Sequence, residues 1–225
     1  MTRRRFIRYG SVGLAAIALG GFNPLPVGLK ALQNIDSSEY IDLTIREVIA
    51  EMVDLERVPM WAFEQESFGP RIPGPVIFAR QGEMIRIRIT THTRREHAFA
   101  VPGVAEGKPV LPGQTLHMDF QAPAAGAYLY LDPLNEPINR LMGLHGALVV
   151  LPHDENTPYT DPPLRLKSLF NDLGRSERFK GEPWKPRRSW IWVFNTIDPL
   201  KNEWVHEQPE GKPLEAEGFI NGYLP

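Results

Sequence analysis

The chain has 225 residues, 42% of them hydrophobic and 23% charged with both signs mixed, enough for a packed core and unlike a disordered chain. Its 22 prolines argue against a bundle of long helices, and its lack of cysteine removes disulfides, thiolate nucleophiles, zinc ribbons, iron–sulfur ligation and thiolate-ligated blue copper together. The net charge of −2 falls to −6, with 21 basic against 27 acidic side chains, once Arg3, Arg4, Arg5 and Arg8 are set aside, which leaves the body of the chain no electrostatic footprint for nucleic acid.

The first thirty residues read as an address. Thr2-Arg3-Arg4-Arg5-Phe6-Ile7 is followed by an uncharged stretch from Tyr9 to Leu29, apolar and rich in small residues through Gly21. A basic start, a short apolar segment and then Asn23-Pro24 is the anatomy of an export signal. The paired arginines followed by x-Phe-Ile resemble the twin-arginine type, which carries proteins already folded. The expectation is export to the periplasm or the cell exterior. Membrane contact is expected only through this segment, and only if it stays uncleaved.

Strand patterns follow. Ile41, Leu43 and Ile45 alternate with Asp42, Thr44 and Arg46, the period of a half-buried strand. Val48 to Val53 suits either a strand or a helical turn. Val58 to Phe63 reads as a short edge segment, because Pro59 lacks the N–H that a central strand needs. After the turn-rich Ser67-Phe68-Gly69-Pro70, residues Val76 to Arg80 form a strand, Gln81-Gly82-Glu83 a turn, and Met84 to Thr90 a second strand with Ile85, Ile87 and Ile89 on one face. In Glu96 to Val101, His97, Phe99 and Val101 share a face. Pro112-Gly113-Gln114 turns into Thr115 to Phe120, with Leu116, Met118 and Phe120 inward. Ala127 to Leu131 is a further strand, and Gly146 to Leu151 reads as one buried on both faces. Short strands at this spacing predict an all-β, Greek-key β-sandwich.

Beyond Pro152 the texture changes. Asp161-Pro162 predicts a short helix in a C-terminal extension, with Leu166, Leu169, Phe170 and Leu173 at helical spacing and Gly174 at its end. Residues 175–189 read as charged linker, Trp190 to Ile197 as another strand, and Asp198-Pro199 as its end.

Four stretches resemble the first cupredoxin domain of multicopper oxidases. They are Pro73-Gly74-Pro75-Val76-Ile77 with Gln81-Gly82-Glu83-Met84-Ile85; Leu111-Pro112-Gly113-Gln114-Thr115; Gly126-Ala127-Tyr128-Leu129-Tyr130; and Gly143-Leu144-His145-Gly146-Ala147-Leu148-Val149-Val150. Their order and spacing cover residues 40–152. Trp190 to Ile197 and Ile220-Asn221-Gly222 resemble the opening of the family's second domain. The resemblance implies a cupredoxin-like fold and a chain that ends within a longer architecture. The expected divisions are 1–30 for the signal, 38–152 for a cupredoxin-like domain, 153–189 for a linker with a short helix, and 190–225 for the start of a second domain.

The family's copper ligands carry over poorly. Where it has HxHG, this chain reads His97-Ala98-Phe99, and where it has a second HxH, Tyr130 is followed by Leu131-Asp132-Pro133. Two imidazoles at alternate positions share one face of a strand and can converge on a metal; the six histidines here contain no such pair. A blue site needs a cysteine that the chain lacks. The remaining metal candidates are His97, His145 and Met142. Each has an alternative: a core or loop histidine for His97, a structural residue for His145, packing for Met142. His117 shares a face with Asp119 and reads as solvated, and His92, His153 and His206 read as lying in polar loops. Glu96, or Asp132 with Glu136, could serve as acid–base groups, yet nothing in the sequence orients them.

The first expectation is therefore an exported multicopper-oxidase-like protein in which this chain provides a ligand-poor, non-catalytic cupredoxin domain. Copper-dependent oxidation would require a further copper-binding domain, and the expected partners are a further cupredoxin domain or further copies of the chain in a homo-oligomer. The alternative is a stand-alone module that binds copper or a partner without enzyme activity.

Overall fold

The computed structural model describes residues 40–66, 68–152, 164, 165, 168, 190–210, 212 and 214. Among these residues, ten strands form two five-stranded sheets. The first sheet joins β1 (Ile41–Glu51), β2 (Arg57–Gln65), β3 (Gly69–Arg71), β5 (Met84–Thr91) and β8 (Thr115–Gln121) in the order β3-β2-β1-β5-β8. The second joins β4 (Ile77–Arg80), β6 (Ala100–Val101), β7 (Ala105–Glu106), β9 (Gly126–Leu131) and β10 (His145–Leu151) in the order β4-β10-β9-β6-β7. β1 runs parallel to β5, and β4 parallel to β10. The chain therefore crosses between sheets instead of winding through successive hairpins. The all-β sandwich expected from the strand spacing is what forms.

Alternation sets the core. Leu43 and Ile45 of β1, Ile85, Ile87 and Ile89 of β5, and Leu148 and Val150 of β10 are buried between the sheets. Phe63, Phe99 and Tyr130 meet at its centre, with ring centroids 5.2 to 6.2 Å apart, the separations aromatic pairs prefer. The outward face of the first sheet carries cross-strand ion pairs, Arg46 with Glu64, Arg88 with Asp42 and Arg86 with Asp119, which are solvated and add little stability.

Several elements differ from the sequence reading. The stretch after Val48 continues β1 as strand through Glu51. Pro59 lies in a nine-residue β2, but β3 pairs only with Phe63, Glu64 and Gln65, so the flank beside Pro59 stays an edge, as its missing N–H requires. Residues 190–198 contain no strand, and Trp190, Trp192 and Phe194 are exposed. Asp198-Pro199 opens a helix there, α2 (Pro199–Glu207), in which the Asp198 side chain accepts from the Lys201 amide and proline occupies the first turn. His206 consequently lies in a helix and not in a loop. The helix expected from Asp161 falls mostly outside the described residues; Leu164, Arg165 and Ser168 are helical. His153 also lies outside them. A second short helix, α1 (Ile138–Leu141), precedes β10. Among the described residues no helix is long and apolar enough to cross a membrane.

Helix α2 seats on the sandwich. Val205 and Leu214 join the core cluster, and the buried Asn202 amide donates to the Pro59 carbonyl at 3.0 Å. Arg95 donates to the carbonyls of Gln208, Pro209 and Lys212, tying the segment that follows the helix to the sandwich.

Candidate functional site

His97, at a matched ligand position, and Asp132, between two others, meet at one end of the sandwich. His97 is held by reciprocal backbone bonds with Val110, and its alternation with Phe99 points it inward. There its ring lies edge-on to Trp61, with centroids 5.0 Å apart. His97 Nδ1 lies 2.7 Å from Asp132 Oδ2, and both side chains are 0% exposed.

Asp132 follows β9 directly. Its Oδ1 accepts from the Ala98 amide at 3.1 Å and from the Leu134 amide at 2.9 Å. Its Oδ2 accepts from Asn139 Nδ2 at 2.8 Å, and Asn139 Oδ1 accepts in turn from Asn135. An ionised carboxylate offers about four acceptor sites, and all of these are taken. The Asp132 amide donates to the Leu144 carbonyl, tying the same residue to the start of β10. A carboxylate that nothing in the sequence singles out is thus held by four donors. The Leu134 amide, two residues on, is a local turn partner, but residues 97, 98 and 139 lie at separations that no local pattern reveals.

His145 and Met142 do not join this cluster. Leu144, Leu148 and Val150 of β10 and its approach face the core, so His145 points to the other side of the strand, where its Nδ1 lies 3.1 Å from the Arg140 carbonyl. Burial pushes its pKa below the ordinary value, opposed by that hydrogen bond. Met142 is packed into the core. The Nε2 atoms of His97 and His145 are buried without a protein hydrogen-bond partner. Among the described residues no three histidine, aspartate or glutamate side chains gather as metal ligands would. His117 is exposed on β8 and meets Tyr40 edge-on.

A copper centre of the kind the resemblance implies does not fit these residues. The Asp132 oxygens are fully engaged, His97 has one nitrogen left, and His145 faces away. A blue site lacks its thiolate.

The motif stretches have a packing explanation. Tyr130 lies between Gly74 and Gly146: a Cβ at Gly146 would come within 2.3 Å of the ring, and one at Gly74 within 2.4 Å of the hydroxyl. That hydroxyl donates to the Pro75 carbonyl at 2.7 Å. Two glycines and a tyrosine far apart in sequence thus form one contact between β9, β10 and the approach to β4.

No family model matches the chain, and no curated protein matches it. Solved structures similar to it include a multicopper oxidase from Pseudomonas thermotolerans, 24% identical over 52% of this chain and 30% of that one, with a TM-score of 0.45. A copper nitrite reductase from Nitrosomonas europaea is 17% identical over 60% and 53%, with a TM-score of 0.47. The McoA multicopper oxidase of Aquifex aeolicus is 21% identical over 53% and 28%, with a TM-score of 0.46. In each case the chain spans little more than half, or less, of the other protein's length. The sandwich of residues 41–151 has the all-β, two-sheet form that the resemblance of the four motif stretches implies.

Proposed function

We propose that this chain provides an exported, ligand-poor cupredoxin-like domain that acts as scaffold in a multicopper-oxidase-like protein. Copper-dependent oxidation belongs to a longer architecture that supplies the histidine pairs and the cysteine. The observation that carries the reading is what stands at the ligand positions: where the resemblance places metal-ligating imidazoles, this chain has Phe99, Leu131 and Pro133, and the one retained imidazole, His97, is engaged by the Asp132 carboxylate, whose oxygens are occupied by protein donors. Apolar strands and buried aromatics give such a domain its use, which is to present a rigid surface against a copper-bearing neighbour.

The test is oxygen uptake by the purified chain with Cu(II) and a phenolic electron donor. The scaffold role predicts a rate no higher than that of the same Cu(II) without protein. Sustained turnover by the chain alone would overturn it.

A further inference from the structure

We infer that His97, Asp132 and Asn139 form a metal-free polar staple, in which Asp132 is the positioning residue that holds the proton of His97 on Nδ1. The inference rests on the scaffold reading only for the identity of the lost ligand positions; the network stands on its own geometry.

Two features carry it. Asp132 meets four donors, two backbone amides on Oδ1 and two side chains on Oδ2, at 2.7 to 3.1 Å. An ionised carboxylate with that many donors is well matched, whereas a protonated one would have to turn a hydrogen toward a donor already pointing at it. The acceptor Oδ2 therefore selects an N–H at His97 Nδ1. The opposite nitrogen, Nε2, is buried with no protein hydrogen-bond partner. A bare lone pair there costs less than an unmatched N–H.

The same contacts define what the staple joins. Asp132 links the inward strand segment at Ala98, its own turn at Leu134, helix α1 through Asn139, and the entry to β10 through the Leu144 carbonyl. Four chain segments at one end of the sandwich are fixed by a single residue, three through its carboxylate and one through its amide. A metal ion held by several histidines could join such segments from the same place; here an anion and its donors do so without one.

Long-range nitrogen–proton NMR of histidine-labelled protein tests this directly. The expected spectrum shows His97 protonated at Nδ1 and bare at Nε2, unchanged by one equivalent of Zn(II). A His97 spectrum with the proton on Nε2, or an Nε2 shift that saturates with stoichiometric Zn(II), would overturn the inference. In Asp132→Asn the expected result is a mixture of tautomers, and an unaltered Nδ1–H signature in the folded variant would refute the positioning role. Should that variant not fold, Asn139→Ala serves in its place: it keeps the His97–Asp132 contact, so its His97 signature is expected to match the wild type, and a switched tautomer would count against Asp132. Oxygen uptake by the chain would refute the scaffold role while leaving the tautomer result standing, so the two failures are separable.

Discussion

Tyr130 donates its hydroxyl to the Pro75 carbonyl while its ring lies against Gly146. Gly146→Ala places a methyl within 2.3 Å of that ring, and overpacking of this kind costs about 1–3 kcal/mol. Tyr130→Phe leaves the buried Pro75 carbonyl without its partner, at about 1–3 kcal/mol. Urea denaturation checks both, with the midpoint expected to fall in each variant and the slope to stay the same.

The alternation of Ile85, Ile87 and Ile89 makes β5 legible in the sequence, since a period of two admits few other conformations, and all three residues are buried. The two short helices are less visible. α1 spans four residues, too few for any helical period to declare itself. α2 is announced by Asp198-Pro199, the same opening signal as at Asp161-Pro162, but the alternating Trp190, Trp192 and Phe194 in front of it suggest a strand ending there. His97 is legible as inward-facing through Phe99 and Val101. Its partner is not, because Asp132 reaches it only when β9 and the segment before β6 lie side by side.

Acid should weaken the fold through His145. Burial lowers its pKa from the ordinary 6.5, with the Arg140 carbonyl opposing and the Arg140 charge adding to the effect. The unfolded chain then binds a proton that the folded state refuses, so stability is complete above about pH 6.5 and declines as pH falls below that value. The slope this group contributes is at most about 1.4 kcal/mol per pH unit. Chemical denaturation of wild type and His145→Gln across that range checks the prediction, with a shallower acid decline expected in the variant.

Arg95 gathers three carbonyls at the end of α2. Arg95→Ala should release that end while the two sheets persist. Hydrogen exchange gives the readout: faster exchange is expected at the Gln208 amide, which donates to Val205, with no change in the strand amides of β5.

Export should depend on the paired arginines. Replacing Arg3 and Arg4 by lysine keeps the charge and removes the twin-arginine pattern. Cell fractionation is expected to find the variant retained inside the cell and the wild type outside the inner membrane.

Copper retention tests the central claim most directly. The folded chain is dialysed to equilibrium against micromolar Cu(II) in the presence of excess glycine as competitor, and bound metal is measured per polypeptide. A carboxylate-held His97 and an outward-turned His145 predict that copper stays far below one ion per chain and is the same in His97→Ala. One tightly held ion per chain, lost in His97→Ala, would contradict the account.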